Sequence, residues 1–260
     1  KKKKNILLNP KAFKFDMDGT LTESRRCITE QTLSALKSLS PAKLYLVTGS
    51  DMAKVVEQMG TDVLLERFER VMACNGTRVW NCNLDMDDEA LSYEPELIHK
   101  VSLIDYYSQP DINHITSTLL KLAADNHTKY KTGTFVEWRD SQINFSLIGR
   151  NCTLEQRDDY AKWDDKSGER DKAIDQLRET FKGWGLSFRK GGQISIDITR
   201  KGWDKSYALQ SIKEPPEDCV FFGDRIEGNG NDSDIAVLCG AYHEVSGPEE
   251  TVEIIKSVYK

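Results

Sequence analysis

The sequence predicts an α/β protein: a parallel-sheet core with an inserted α+β cap, within 260 residues. Three observations carry this. Near the start, short apolar runs alternate with amphipathic helical stretches, the pattern of a parallel sheet with crossover helices. From about residue 76 the alternation gives way to paired strands and separate helices. After Trp203 it resumes.

Each element has its own signal. "AFKFDMD" reads as a short strand. "ITEQTLSALKSL" places Leu33, Leu36 and Leu39 at helical spacing behind Thr29, a good N-cap. "KLYLVTGS" is a second strand, and "SDMAKVVEQMG" a second helix, capped by Ser50 or Asp51 and closed by Gly60. "TRVWNCNLDMDDEALSYEPELIHKV" is polar and hairpin-like, and "TSTLLKLAADN" is helical. "GTFVEWRDSQINFSLIGR" predicts two strands turning at Asp140-Ser141, and "ERDKAIDQLRETFKGWG" a helix with Gly185 at its end. "LSFRKGGQISIDITRKGWDK" returns to strands. In the last part "KSYALQSI" is helical, "DCVFFGD" a buried strand, "NDSDIAVL" a short helix and "PEETVEIIKSVYK" the terminal helix. The expected division is a core of 1–87 and 202–260, and a cap of 88–201.

Composition narrows the function. Apolar residues make up 38% and charged residues 30%, with a net charge of −6, which describes a globular protein and argues against a nucleic-acid or anionic-membrane surface as partner. The six cysteines show no C-x-x-C spacing and the four histidines no ligand spacing, so zinc is not expected and the thiols read as reduced. The opening "KKKKNILLNPKAF" carries the charge of a signal peptide but has only "ILL" before Asn9 and Pro10, so a cytoplasmic protein is expected.

Four polar clusters follow strand signals, where open α/β sheets bind ligands. They are Asp16-Met17-Asp18-Gly19-Thr20, Thr48-Gly49-Ser50, Lys205, and Gly223-Asp224 followed by Asn231-Asp232. A lone D-x-D-G is usually a solvated turn, and Thr20-Leu21 does not continue it into a calcium loop. The order of all four is what specifies magnesium-assisted phosphoryl transfer. A carboxylate can attack phosphorus, and a hard cation offsets the repulsion between that carboxylate and the phosphate. Asp16 and Asp18, two residues apart on a strand, can serve one reacting group. The N–H groups of the Gly19-Thr20 turn are expected to receive phosphate. Ser50 and Lys205 would bind it, and Asp224 would complete the metal site.

This order resembles the haloacid dehalogenase superfamily. "FDMDGTLTESR", "VTGSDMAKVVEQMG", "NGTRVW", "GTFVEWRD", "IGRNCTLEQRDDY", "FRKGGQISIDITRKGWDK" and "FFGDRIEGNGND" are similar to successive segments of the eukaryotic-type α-phosphomannomutase family. The resemblance implies a Rossmannoid core with a cap for substrate specificity and dimerisation. It implies Asp16 as nucleophile, Asp18 as general acid/base, and Mg²⁺ held by Asp16, the Asp18 carbonyl and Asp224. It implies substrate binding by Arg25, Arg139, Arg150, Arg157, Ser195 and Asp197. Arginine forks suit phosphate, and Ser and Asp suit sugar hydroxyls. The chain departs from the family at Thr48 (usually Gly), Cys74 (commonly Glu) and "VLCGA" at 237–241, where the family has a turn that helps hold a second cation.

The implied activity is an isomerase, interconverting mannose 6-phosphate and mannose 1-phosphate through an aspartyl-phosphate enzyme and a hexose 1,6-bisphosphate, which also serves as activator. The implied pathway is mannose metabolism toward GDP-mannose, and the implied assembly a homodimer through the cap. The alternative is a Mg²⁺-dependent sugar-phosphate phosphatase on the same scaffold. A third reading, a silent sugar-phosphate-binding protein, fits poorly with an intact Asp16/Asp18/Lys205/Asp224 set.

Overall fold

Every residue of β1 (Ala12–Phe15) is buried, as a strand covered on both faces requires. The structure, a computed structural model, describes residues 6–83, 94–228 and 230–259. The four leading lysines and part of the segment read as hairpin-like, 84–93, lie outside the described residues. By contact the chain forms two units, Lys1–Lys100 with Gly202–Lys260, and Val101–Lys201.

In the first unit, β1 leads to α1 (Glu30–Lys37), where Thr29 Oγ1 accepts from the Thr32 N–H at 3.2 Å. β2 (Lys43–Val47) and α2 (Met52–Met59) follow. The cap of α2 is Asp51, whose Oδ1 accepts from the Lys54 N–H at 2.9 Å, which leaves the Ser50 side chain for another partner. α3 (Thr61–Arg67) and β3 (Arg70–Ala73) come next, then β4 (Arg78–Asn81) and β5 (Glu96–Lys100).

The second unit holds α4 (Gln109–Asp125), β6 (Val136–Trp138), β7 (Gln142–Ser146), α5 (Leu154–Ser167), α6 (Glu169–Thr180), β8 (Leu186–Gly191) and β9 (Ser195–Arg200). The chain then returns to the first unit with β10 (Cys219–Gly223), α7 (Ser233–Ala236), β11 (Ala241–Glu244) and α8 (Pro248–Val258).

The first sheet has the order β11-β10-β1-β2-β3-β4-β5, parallel except for the antiparallel pairs β3–β4 and β4–β5. The sequence expectation assigned residues 88–100 to the cap. β5 instead pairs with β4, so the first crossing between units falls after Lys100. One face of this sheet buries Phe13, Phe15 and Phe222 with Leu36 of α1 and Ile255 of α8. The other buries Tyr45, Met72 and Phe221 with Ala208, Ile235 and Ala236. Lys14 points to this second face and is fully buried; its Nζ lies 3.7 Å from the Cys239 sulfur.

The second sheet, β6-β7-β9-β8, is antiparallel throughout. α6 packs on β8 and β9. Buried Arg170 holds this packing: it bonds Asp164 at 2.7 Å and donates to the carbonyls of Gly192 and Ser195.

Several elements differ from expectation. α3, β3, β11 and α5 carry no separate signal in the sequence reading. Residues Lys205–Ser211 form a 3₁₀ run, and α6 ends at Thr180, before Gly185. All six cysteines are free thiols. Among the described residues no helix is long and apolar enough to cross a membrane.

Candidate active site

The chain leaves β1 still paired to β10, with the Asp16 N–H donating to the Phe222 carbonyl at 2.9 Å. Asp16 is thereby placed beside the Gly223-Asp224 turn that ends β10. Carboxylate oxygens of Asp16, Asp224 and Asp232 all lie within 4.8 Å of one another. Two glycines permit this approach. A Cβ on Gly19, at φ +77°, would meet Asp224 Oδ2 at 2.6 Å, and one on Gly223 would meet Asp232 Oδ2 at 2.6 Å.

Three acids this close repel one another, and one cation sits among them. Lys205, almost fully buried, donates from Nζ to Asp16 Oδ1 at 2.6 Å and to Asp232 Oδ1. That cation offsets the charge only in part. Burial pushes Asp16 up to about 7; Lys205 opposes this and Asp232 adds to it. Burial, then Asp232, also raises Asp224. For Lys205, burial works against the charge, but Asp16 and Asp232 outweigh it and hold the ammonium protonated. A carboxylate cluster left short of positive charge, with oxygens converging on one point, suits a hard divalent cation.

Asp18 faces elsewhere. Its Oδ2 accepts from Lys54 Nζ at 2.5 Å and Ser50 Oγ at 3.3 Å, and its Oδ1 from Gln58 Nε2 at 3.2 Å. Lys54 and Gln58 stand four apart on α2, so one helix face grips this carboxylate. Burial pushes Asp18 up, but the Lys54 hydrogen bond and charge, with Gln58 and the Arg25 N–H, outweigh it and leave it below the usual range. The turn that follows Asp18 closes on itself. Gly19 N–H donates to Thr22 O at 2.7 Å and Thr20 N–H to Met17 O at 3.3 Å, so the expectation that these two groups receive phosphate is not met.

The second unit carries a separate polar surface. Gln142, Asn144 and Ser146 of β7 and Ser195, Asp197 and Thr199 of β9 alternate with apolar neighbours and pair across the strands, placing them on one face. Glu137 of β6 continues the row beside Asn144. Arg150, on the loop after β7, donates from one guanidinium nitrogen to Asn144 Oδ1 at 2.7 Å and Ser195 Oγ at 3.4 Å. Asn144 in turn donates to Asp197 Oδ1 at 2.6 Å. Arg139 donates from Nε to Glu137 Oε2 at 2.8 Å, and Arg150 Nε lies 3.2 Å from the same oxygen. Arg157, in the first turns of α5, leaves its buried Nε without a partner. Burial, then Arg139, weakens the hold of Arg150 on its proton. Burial raises Asp197, against Asn144 and both arginines.

The predicted residues therefore fall into two groups. Asp16, Lys205 and Asp224 meet in one cluster, and Asp18 and Ser50 meet beside it. Arg139, Arg150, Ser195 and Asp197 form a bonded network, with Arg157 near enough to act on Arg150. Arg25 is exposed, at φ +63°. Four residues escaped assignment by sequence: Asp232, Lys54, Asn144 and Glu137. Asp232 had a signal in its Asn231-Asp232 cluster. Lys54 had one in its helical spacing to Gln58, and Asn144 in the alternation of "QINFS". Glu137 had only its spacing to Arg139.

The sheet order and the inserted unit define a haloacid dehalogenase-like fold. A haloacid dehalogenase-like hydrolase from Bacteroides thetaiotaomicron superposes with a TM-score of 0.61 at 14% identity, covering 95% of this chain and 98% of that one. An IMP-nucleotidase from Plasmodium falciparum gives 0.65 at 16%, covering 95% and 68%; at such identities the likeness is one of fold. The family model for eukaryotic phosphomannomutase matches residues 29–260. A phosphomannomutase from Galdieria sulphuraria is 37% identical over 94% of this chain and 93% of that protein. Human phosphomannomutase 1 is 34% identical over 94% and 90%. The chain belongs to the eukaryotic phosphomannomutase family.

Proposed function

We propose that this protein interconverts mannose 6-phosphate and mannose 1-phosphate, moving the phosphoryl group through Asp16 and a hexose 1,6-bisphosphate. The observation that carries this reading, beside the family, is that one chain holds two sets of phosphate-handling groups. One is the acid cluster with Lys205, and the other the arginine-rich sheet face. A mutase that works through a bisphosphate needs groups that react with a phosphate and groups that only hold one, and both kinds are present in this chain.

Asp16 is the nucleophile and Asp18 the acid/base that serves the sugar oxygen. Lys205 fixes the Asp16 carboxylate and adds positive charge toward the transferring group. Asp16, Asp224 and the Asp18 main-chain carbonyl would hold Mg²⁺, with Asp232 supporting them. The ion would neutralise charge that otherwise raises Asp16 and opposes approach of a phosphate. Ser50 is a phosphate donor when released from Asp18. Arg139, Arg150 and Arg157 hold the phosphate that does not react, Ser195 and Asp197 orient the sugar, and Arg25 contributes from the first unit. A hexose 1,6-bisphosphate serves as activator by loading Asp16. Dimerisation through the second unit and a cytoplasmic location belong to the same reading.

Phosphoryl labelling tests this. Label from a hexose 1,6-bisphosphate should enter the protein, be released by hydroxylamine as an acyl phosphate is, and be absent from Asp16→Asn. Stable label in that variant would place the nucleophile elsewhere.

A further inference from the structure

Glu137 holds two of the arginines that the proposed function gives to a phosphate. A single oxygen, Oε2, accepts from Arg139 Nε at 2.8 Å and faces Arg150 Nε at 3.2 Å. The second nitrogen of the Arg139 fork bonds the same atom. The N–H groups with which a guanidinium bonds a carboxylate are the same ones with which it bonds a phosphate.

Glu137 is not needed to aim Arg150. That side chain is already fixed by Asn144 Oδ1 and Ser195 Oγ, and Asn144 is fixed in turn by Asp197. Nor is the fork sealed. The side chains of Glu137, Arg139 and Arg150 are 38%, 37% and 29% exposed, so an anion from solvent reaches the same nitrogens. Arg157 keeps a buried Nε–H without a partner, so the positive side of this cluster still has unused donor capacity.

We propose that Glu137 is a built-in competitor for the substrate phosphate, which must displace its carboxylate from the Arg139–Arg150 fork before the sugar phosphate is held. Glu137 thereby loosens binding and speeds release. This rests on the reading of those arginines as the phosphate grip. A partly exposed ion pair is weak, and two of them removed together amount to about a fivefold change in affinity.

The experiment is calorimetric titration of mannose 1-phosphate into the full chain, with kinetics alongside. Glu137→Gln, nearly the same shape without the charge, should bind about fivefold tighter and lower KM without raising kcat. Glu137→Ser should move affinity the same way, and thermal unfolding checks that both are folded. In an Arg139→Ala background the gain from Glu137→Gln should shrink, which a purely structural role would not produce. If Arg139→Ala weakens binding but Glu137→Gln weakens it too or leaves it unchanged, Glu137 is an orienting residue and the competitor role is wrong. If Arg139→Ala and Arg150→Ala also leave binding unchanged, the phosphate grip itself is wrong, and the competitor role falls with it.

Discussion

Lys205 Nζ lies 2.6 Å from Asp16 Oδ1 and also bonds Asp232, so one buried ammonium bridges two of the three clustered carboxylates. Removing it leaves acids that repel without relief. Lys205→Met should abolish turnover and destabilise the protein by about 3 kcal/mol near neutral pH. The loss should depend on pH in a definite direction. Carboxylates whose native pKa is raised hold protons that the unfolded chain has released, so stability falls as pH rises through that window. Urea midpoints at about pH 5 and about pH 8 should therefore show the larger deficit at the higher value. Equal deficits would mean that Lys205 acts by packing alone.

The two groups proposed to handle phosphate can be separated kinetically. Arg150→Ala and Arg157→Ala should cost about 10- to 150-fold in kcat/KM for a hexose phosphate, the worth of a charge-assisted hydrogen bond. A small aryl phosphate has no remote phosphate, and its hydrolysis should change by less than about threefold. Arg157, whose Nε lacks a partner, should lose less thermal stability than Arg150, which bonds Asn144 and Ser195. Matching losses on both substrates would assign these arginines to the fold.

The proposed sugar-binding role of Asp197 would come at a cost in stability. Burial raises its pKa despite Asn144, Arg139 and Arg150. Below the usual carboxylate range it is protonated folded and unfolded, and costs nothing. As pH rises, the unfolded chain releases its proton first, and folding is penalised up to and beyond the raised native value. Asp197→Asn should therefore raise the melting temperature at neutral pH, with the gain fading in acid, while raising KM for hexose phosphate. A fall in stability at neutral pH would show that the ionised carboxylate is a net stabilising partner.

Lys14 is buried in β1 with a thiol as its neighbour, 3.7 Å away, and it pairs with no carboxylate among the described residues. An ammonium in such a place costs folding energy, and an unbranched apolar chain of similar length does not. Lys14→Met should stabilise the protein by about 1–3 kcal/mol in urea unfolding, with little change in kcat. Destabilisation would mean that the packing of Lys14 and its contact with the Cys239 sulfur are net stabilising.

The sequence made legible what strong local signals carry. Thr29 caps α1, Gly60 closes α2, and "CVFFG" forms a buried strand, because each depends on a few neighbouring residues. The acids at the ends of β1 and β10 were equally visible, since the sheet itself brings those ends together. α3 and β3 were not, because they pass from helix to strand within "TDVLLERFERVMA" with no glycine or proline to mark the change. β5 pairs antiparallel with β4, in keeping with the hairpin-like reading of 77–101, but was placed in the cap because its largely exposed residues do not mark which unit it joins. Lys54 and Glu137 left only spacing signals in the sequence, and their partners became visible in three dimensions. A helix-face lysine and a strand glutamate read as solvated charges until their partners, Asp18 and the Arg139–Arg150 pair, are in place.

The central claim is that the phosphate leaves one sugar carbon and returns to another, not to water. The most direct measurement incubates purified protein with Mg²⁺ and mannose 1-phosphate, with and without a catalytic amount of hexose 1,6-bisphosphate, and separates sugar 6-phosphate from inorganic phosphate. The account predicts mannose 6-phosphate as the main product, a marked acceleration by the bisphosphate, and little free phosphate. Free phosphate and mannose in equal amounts, unaffected by the bisphosphate, would contradict it and make the protein a phosphatase.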